Sequence, residues 1–121
     1  NSTSGINWPL PAVFTDLVRV SPATGLTAAG TTSGTALNLS KNYNEVTTVA
    51  AGTGVRLPAA GAQQVTGARI VVWNAGANTL NVYPMAGGQI DALGADIADT
   101  IAAGSCKTYV AMSSTLYRIE T

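Results

Sequence analysis

Asp91, Asp96 and Asp99 form the densest acidic group in the chain. Carboxylates so close in sequence can ligate calcium or divide acid and base roles between them. Their spacing fits no EF-hand loop, and Ile90-Asp91-Ala92-Leu93-Gly94 carries turn chemistry. The three therefore read as structural residues, in turns or packing. Cys106 is the single cysteine, so neither an internal disulfide nor a thiolate zinc site can be built from it. Lys107 beside it could lower a thiol pKa, but the chain has no histidine to act as proton acceptor. Strand alternation groups Cys106 with Thr108 and Val110, which predicts a buried apolar thiol. Gly52-Thr53-Gly54 and Gly87-Gly88 match no phosphate cradle leading into a helix and read as turns. The sequence thus predicts no catalytic residue, no cofactor and no metal, and the chain is expected not to be an enzyme.

Aromatic side chains are the remaining source of recognition chemistry. Seven are present: Trp8, Phe14, Tyr43, Trp73, Tyr83, Tyr109 and Tyr117. Stacking on nucleic-acid bases would need basic neighbours. The six basic residues are scattered and cancelled by six acidic ones, so no nucleic-acid partner is expected. Trp73 lies in Ile70-Val71-Val72-Trp73, the most core-like run of the chain. Trp8 differs, because Trp8-Pro9-Leu10-Pro11 sits in a segment with little around it to bury an indole. The two prolines remove amide donors and favour extended backbone. Residues 1–12 are therefore expected to be an extended N-terminal arm, with Ile6, Trp8 and Leu10 as anchors for a partner surface.

The elements that must carry these residues are short. Turn signals recur every eight to twelve residues or so, the pattern of an all-β sandwich or barrel, and residues 13–121 are expected to form one such small, jelly-roll-like domain. Val13 to Val20 is a first strand candidate, and Leu26 to Gly34 a loop or loose edge. Thr35 to Ser40 alternates, with Leu37 and Leu39 on one face. Lys41 to Asn44 reads as a turn and Glu45 to Ala50 as a strand. Val55 to Leu57 follows, then a longer connection to Gly67. Ala68 to Asn74 is apolar on both faces and is expected to be central. Ala75 to Asn78 reads as a hairpin loop into Thr79 to Tyr83. Ile97 and Ile101 flank a weak strand. Lys107 to Met112 and Thr115 to Glu120 form a second hairpin, with Val110, Met112, Leu116 and Tyr117 expected in the core. Ala92 to Ala103 is not expected to be helical, because Gly94 and sparse apolar spacing oppose it. The longest apolar run is far below the roughly 20 residues of a membrane helix, and no signal-peptide pattern is read.

The stretch from Val72 to Pro84, VWNAGANTLNVYP, followed by Gly87-Gly88-Gln89-Ile90-Asp91, Ile101-Ala102-Ala103-Gly104 and Tyr109-Val110-Ala111-Met112-Ser113, resembles small virion proteins of tailed bacteriophages. These include head decoration (cement) and head-fibre proteins and domains of tail components. The resemblance covers Leu57 to Thr121, and tryptophan often stands in that pattern at the place of Tyr117. It implies a structural protein made in the host cytoplasm that joins the virion at the capsid surface. Its partner would be the major capsid protein, and decoration proteins often occupy three-fold positions, which implies a homotrimer. Composition agrees with that setting. Only 10% of the 121 residues are charged, against about a quarter in most soluble domains, so shape and buried area rather than salt bridges would supply affinity. Alanine-rich segments leave a thin core, to which association would add apolar burial at about 25 cal/mol per Å². Two other readings are a tail or fibre component, and a carbohydrate-binding β-sandwich that stacks sugars on Trp8 or Tyr83.

Overall fold

A computed structural model describes residues 20–59 and 66–120 of the chain. Ten strands lie in chain order: β1 (Ala23–Thr27), β2 (Leu37–Asn38), β3 (Tyr43–Thr48), β4 (Gly54–Arg56), β5 (Arg69–Asn74), β6 (Leu80–Tyr83), β7 (Gln89–Ile90), β8 (Asp99–Ile101), β9 (Cys106–Ser113) and β10 (Leu116–Glu120). Among the described residues there is no helix. One sheet has six strands in the order β1-β3-β5-β9-β10-β7, and a second has four in the order β2-β4-β6-β8. The domain is all-β, built of two mixed sheets with no closed barrel.

Odd-numbered strands up to β9 belong to the larger sheet and even-numbered strands up to β8 to the smaller, so each connection crosses between sheets. Strands two apart in sequence then lie side by side and parallel: β1 with β3, β3 with β5, β2 with β4, and β4 with β6. The chain winds like a short solenoid, each coil covering the apolar edge of the one before. From β7 onward the winding stops, because β7 lies beside β10 and not beside β5. β8 and β9 add antiparallel to β6 and β5, and β9 and β10 make the expected hairpin. This parallel winding separates the domain from antiparallel jelly rolls. It also corrects one local expectation, since Ala75 to Asn78 is a corner between sheets and not a hairpin loop. Lys41 to Asn44 is likewise only partly a turn, because β3 already begins at Tyr43, and the segment from Leu26, expected as a loop or loose edge, starts in β1, an edge strand of the larger sheet.

Asparagines hold the coils in register. Asn42 and Asn44 in one coil donate to the Arg69 and Val71 carbonyls of the next, at 2.9 and 3.2 Å. Asn78 and Asn81 reach back to the Val49 and Gly52 carbonyls, at 2.8 and 3.2 Å. Asn74, fully buried at the end of β5, donates to the Asn78 and Ile101 carbonyls and accepts from the Gly76 amide. The Ile101 contact ties the larger sheet to β8 of the smaller one.

Both sheets contribute to the core. Val46, Ile70, Val72, Tyr109, Ala111 and Tyr117 face Val55, Leu80, Val82 and Ile101. In β9 the alternation is as the sequence predicts, but the buried set is Tyr109 and Ala111, while Val110 is half-buried and Met112 is exposed. A shift of one residue exchanges the two faces of a strand. Here Tyr109 faces inward, with its hydroxyl on Asp99 of β8, and that fixes the phase. Tyr117 is buried as expected and Leu116 is half-buried. Leu39 is buried, Leu37 packs against the core, and Ile97 is exposed.

Two coils approach closely at Gly54. A Cβ there would lie 2.7 Å from the Asn81 carbonyl oxygen and 2.9 Å from the Tyr83 ring, neither of which can yield without moving β6. Gly54→Ala is expected to cost about 1–3 kcal/mol. Gly34→Ala, which meets nothing within 4 Å, is the control. Urea unfolding of both variants measures the difference, and equal midpoints would show that β4 and β6 are not packed this closely.

Candidate functional site

The sequence's three aspartates do not converge. Asp91 and Asp96 both adopt left-handed backbone, with φ of 50° and 58°, as turn residues. The Asp91 carboxylate accepts from the Ile119 amide at 3.2 Å and lies 3.7 Å from Arg118. Asp96 accepts from the Gly87 amide at 2.9 Å. Asp99, on β8, accepts from Lys107 Nζ at 3.0 Å and from the Tyr109 hydroxyl at 2.7 Å. Burial pushes the Tyr109 hydroxyl far above the usual phenol range, and the Asp99 hydrogen bond and charge add to the shift. Each carboxylate is thus committed to a backbone amide or to a neighbouring side chain. Among the described residues no group of three metal-ligating side chains occurs.

Three other expectations are corrected. Cys106 is exposed, because it shares the face of Thr108 and Val110 as predicted, but that face points away from the core. Trp73 is 42% exposed although its strand is central, since β5 turns Ile70 and Val72 inward and Val71 and Trp73 outward. Tyr83, named above as a sugar platform, is buried and spends its hydroxyl on the Thr31 carbonyl at 3.0 Å. Ile6, Trp8 and Leu10, the expected partner anchors, lie outside the described residues, as does the Val13–Val20 strand apart from Val20.

A cleft of about 560 Å³ is bounded by Thr31, Thr32, Arg56, Tyr83 and Asp96. Arg56 donates to Asn38 Oδ1 at 2.8 Å, Tyr83 to Thr31, and Asp96 holds the Gly87 amide. Its polar walls are tied to their own surroundings and do not converge on one point.

The outward face of the larger sheet is the better candidate. Strand pairing sets Tyr43, Val71 and Thr108 in one row, Glu45, Trp73 and Cys106 in the next, and Arg69, Val110 and Arg118 in a third. Tyr43 and Trp73 stack with ring centroids 6.3 Å apart and planes 25° from parallel. They are 38% and 42% exposed, so the pair offers an aromatic surface to solvent. A cleft of about 290 Å³ runs beside it, walled by Pro22, Thr24, Tyr43, Asn44, Glu45 and Trp73. Asn44 Oδ1, buried in that wall residue, has no hydrogen-bond partner. Charge at the edge of the face is paired, with Arg69 on Glu120 at 2.8 Å. Sequence reasoning missed this site because Trp73 stands among Ile70, Val71 and Val72, and both faces of β5 are apolar. With its exposed aromatic pair beside a cleft, the arrangement is suited to binding by contact area.

No helix among the described residues is long and apolar enough to cross a membrane. Comparison of the chain with known protein families, curated sequences and solved structures returned no match.

Proposed function

We propose that this chain is a structural, non-catalytic component of a bacteriophage particle, a head decoration protein that binds the outside of the major capsid protein shell as a homo-oligomer and stiffens it. The observation that carries this reading is the outward sheet face, where an exposed, stacked aromatic pair lies among few charges: Glu45 beside Trp73, and Arg69 paired with Glu120 at the edge. Interfaces are enriched in such aromatics and depleted of charge at their centres. The carboxylates of Asp91, Asp96 and Asp99 are bonded within the fold. The phage setting rests on the sequence resemblance from Leu57 to Thr121. Purified protein added to undecorated heads is expected to bind saturably and to raise the temperature at which the heads disrupt. Absence of binding at micromolar concentration would remove this reading.

A carbohydrate-binding module is the second reading, favoured by the same Tyr43–Trp73 surface beside a cleft that presents Glu45 and Thr24. It requires saturable saccharide binding in the absence of any particle, lost in Trp73→Ala.

A further inference from the structure

The Tyr43–Trp73 cleft lies where the described chain begins: Pro22, in its wall, is two residues from Val20. The sequence before it contains Trp8-Pro9-Leu10-Pro11 in a twelve-residue segment without a single charged side chain. Proline-rich segments hold extended backbone at low entropic cost and are bound by grooves lined with aromatic rings. Tyr43 and Trp73 line such a groove, Glu45 is the single charged residue of its wall, and the uncharged arm brings no like charge to it. We propose that the Trp8–Pro11 segment of one copy of this chain lies across the Tyr43–Trp73 cleft of a second copy.

Chain geometry favours exchange between copies over folding back. Val13 to Val20 alternates like a strand, and eight extended residues span about 26 Å. The strand that this alternation predicts would set the arm away from Pro22 of its own chain and within reach of a neighbour. The link stands apart from the particle reading, because it needs only the isolated protein.

Cys106 makes the contact measurable. It is exposed and sits directly opposite Trp73 across the β5–β9 pair. A chain carrying Asn7→Cys with Cys106→Ser is mixed with the unmodified chain under mild oxidation, and the experiment is repeated with Ala12→Cys in place of Asn7→Cys. A disulfide between the two different chains is expected from at least one arm position, falling to background when the unmodified chain carries Trp73→Ala. In a single chain holding both Asn7→Cys and Cys106, a ring closed within one monomer would place the arm on its own cleft and overturn the exchange. No crosslink above the Trp73→Ala background at either position would overturn the contact itself.

Light scattering of the full-length protein gives a second measurement. Trp8→Ala and Trp73→Ala are each expected to weaken self-association by about thirtyfold, the effect of losing one aromatic anchor. The double variant is expected to match either single one, because both remove the same contact. Multiplied effects in the double variant, or a wild-type chain that is already monomeric, would overturn the proposal. Trp73 is an exposed side chain, and unchanged urea midpoints show that the variants remain folded.

Discussion

Asn74→Ala is expected to destabilise the domain by about 3–4 kcal/mol, the largest loss for any single asparagine. The side chain is 1% exposed and makes three hydrogen bonds, at 2.8 Å to the Asn78 carbonyl, 2.9 Å to the Ile101 carbonyl and 3.0 Å from the Gly76 amide. Alanine leaves all three backbone groups without that partner. The Ile101 carbonyl sits on a fully buried residue, where water does not readily replace the lost donor. A stranded buried polar group costs about 1–3 kcal/mol, whereas one that regains water costs far less. Asn78→Ala is the internal comparison. It lies in the same corner, also donates to a carbonyl of another coil, but is exposed, and its loss is expected to cost about 1 kcal/mol. In a domain of this size each kcal/mol moves the melting temperature by about 4–8 °C, so Asn74→Ala should melt at least about 12 °C below wild type. Equal melting temperatures for the two variants would mean that Asn74 is not the joint between the sheets.

That corner also marks where the sequence stops being readable. Short strands, their turns and the absence of helix are legible, because β-branched runs such as Ile70-Val71-Val72 alternate with glycine, proline and asparagine. The winding is not. Asn74 to Asn78 has the composition of a tight hairpin, and long-range bonds such as Asn74 to Ile101 and Asn78 to Val49 direct the chain to the other sheet. The coils also differ in length. Tyr43 pairs with Val71 and Leu37 with Val55, so no fixed sequence period announces them. The phase of β9 was hidden for a related reason. Tyr109 and Ala111 on one face and Val110 and Met112 on the other are both apolar sets, and local pattern does not choose between them. The choice is made by Asp99, ten residues away and on the opposite sheet. Trp73 and Cys106 were misplaced by the same ambiguity, and it is their outward placement that creates the candidate surface. By contrast, the turn roles of Asp91 and Asp96 were legible, because aspartate tolerates left-handed backbone and bonds nearby amides.

Tyr109 is expected to make the domain progressively less stable above about pH 10, and Tyr109→Phe to remove that dependence. The phenol is fully buried between the sheets and donates to Asp99 Oδ2 at 2.7 Å. Burial, then the hydrogen bond and charge of Asp99, raise its pKa well above the unfolded value of about 10. An acid whose folded pKa is raised contributes stability that is complete below the unfolded pKa and is lost as pH climbs toward the folded one. Between those limits the loss is about 1.4 kcal/mol per pH unit, or about 2.7 kcal/mol by pH 12. Phenylalanine keeps the ring in the core but cannot donate to Asp99, which retains Lys107 at 3.0 Å. At pH 7 the variant should therefore be less stable by about 1.5–3 kcal/mol, the range for a hydrogen bond to a charged group. Its stability should then fall more slowly than that of wild type as pH rises, so that the two curves approach each other between pH 10 and 12. Urea unfolding across pH 7–12 measures both slopes. Parallel curves would show that the Tyr109 proton is not held by the fold, and the hydroxyl–carboxylate contact would then have no part in setting the phase of β9.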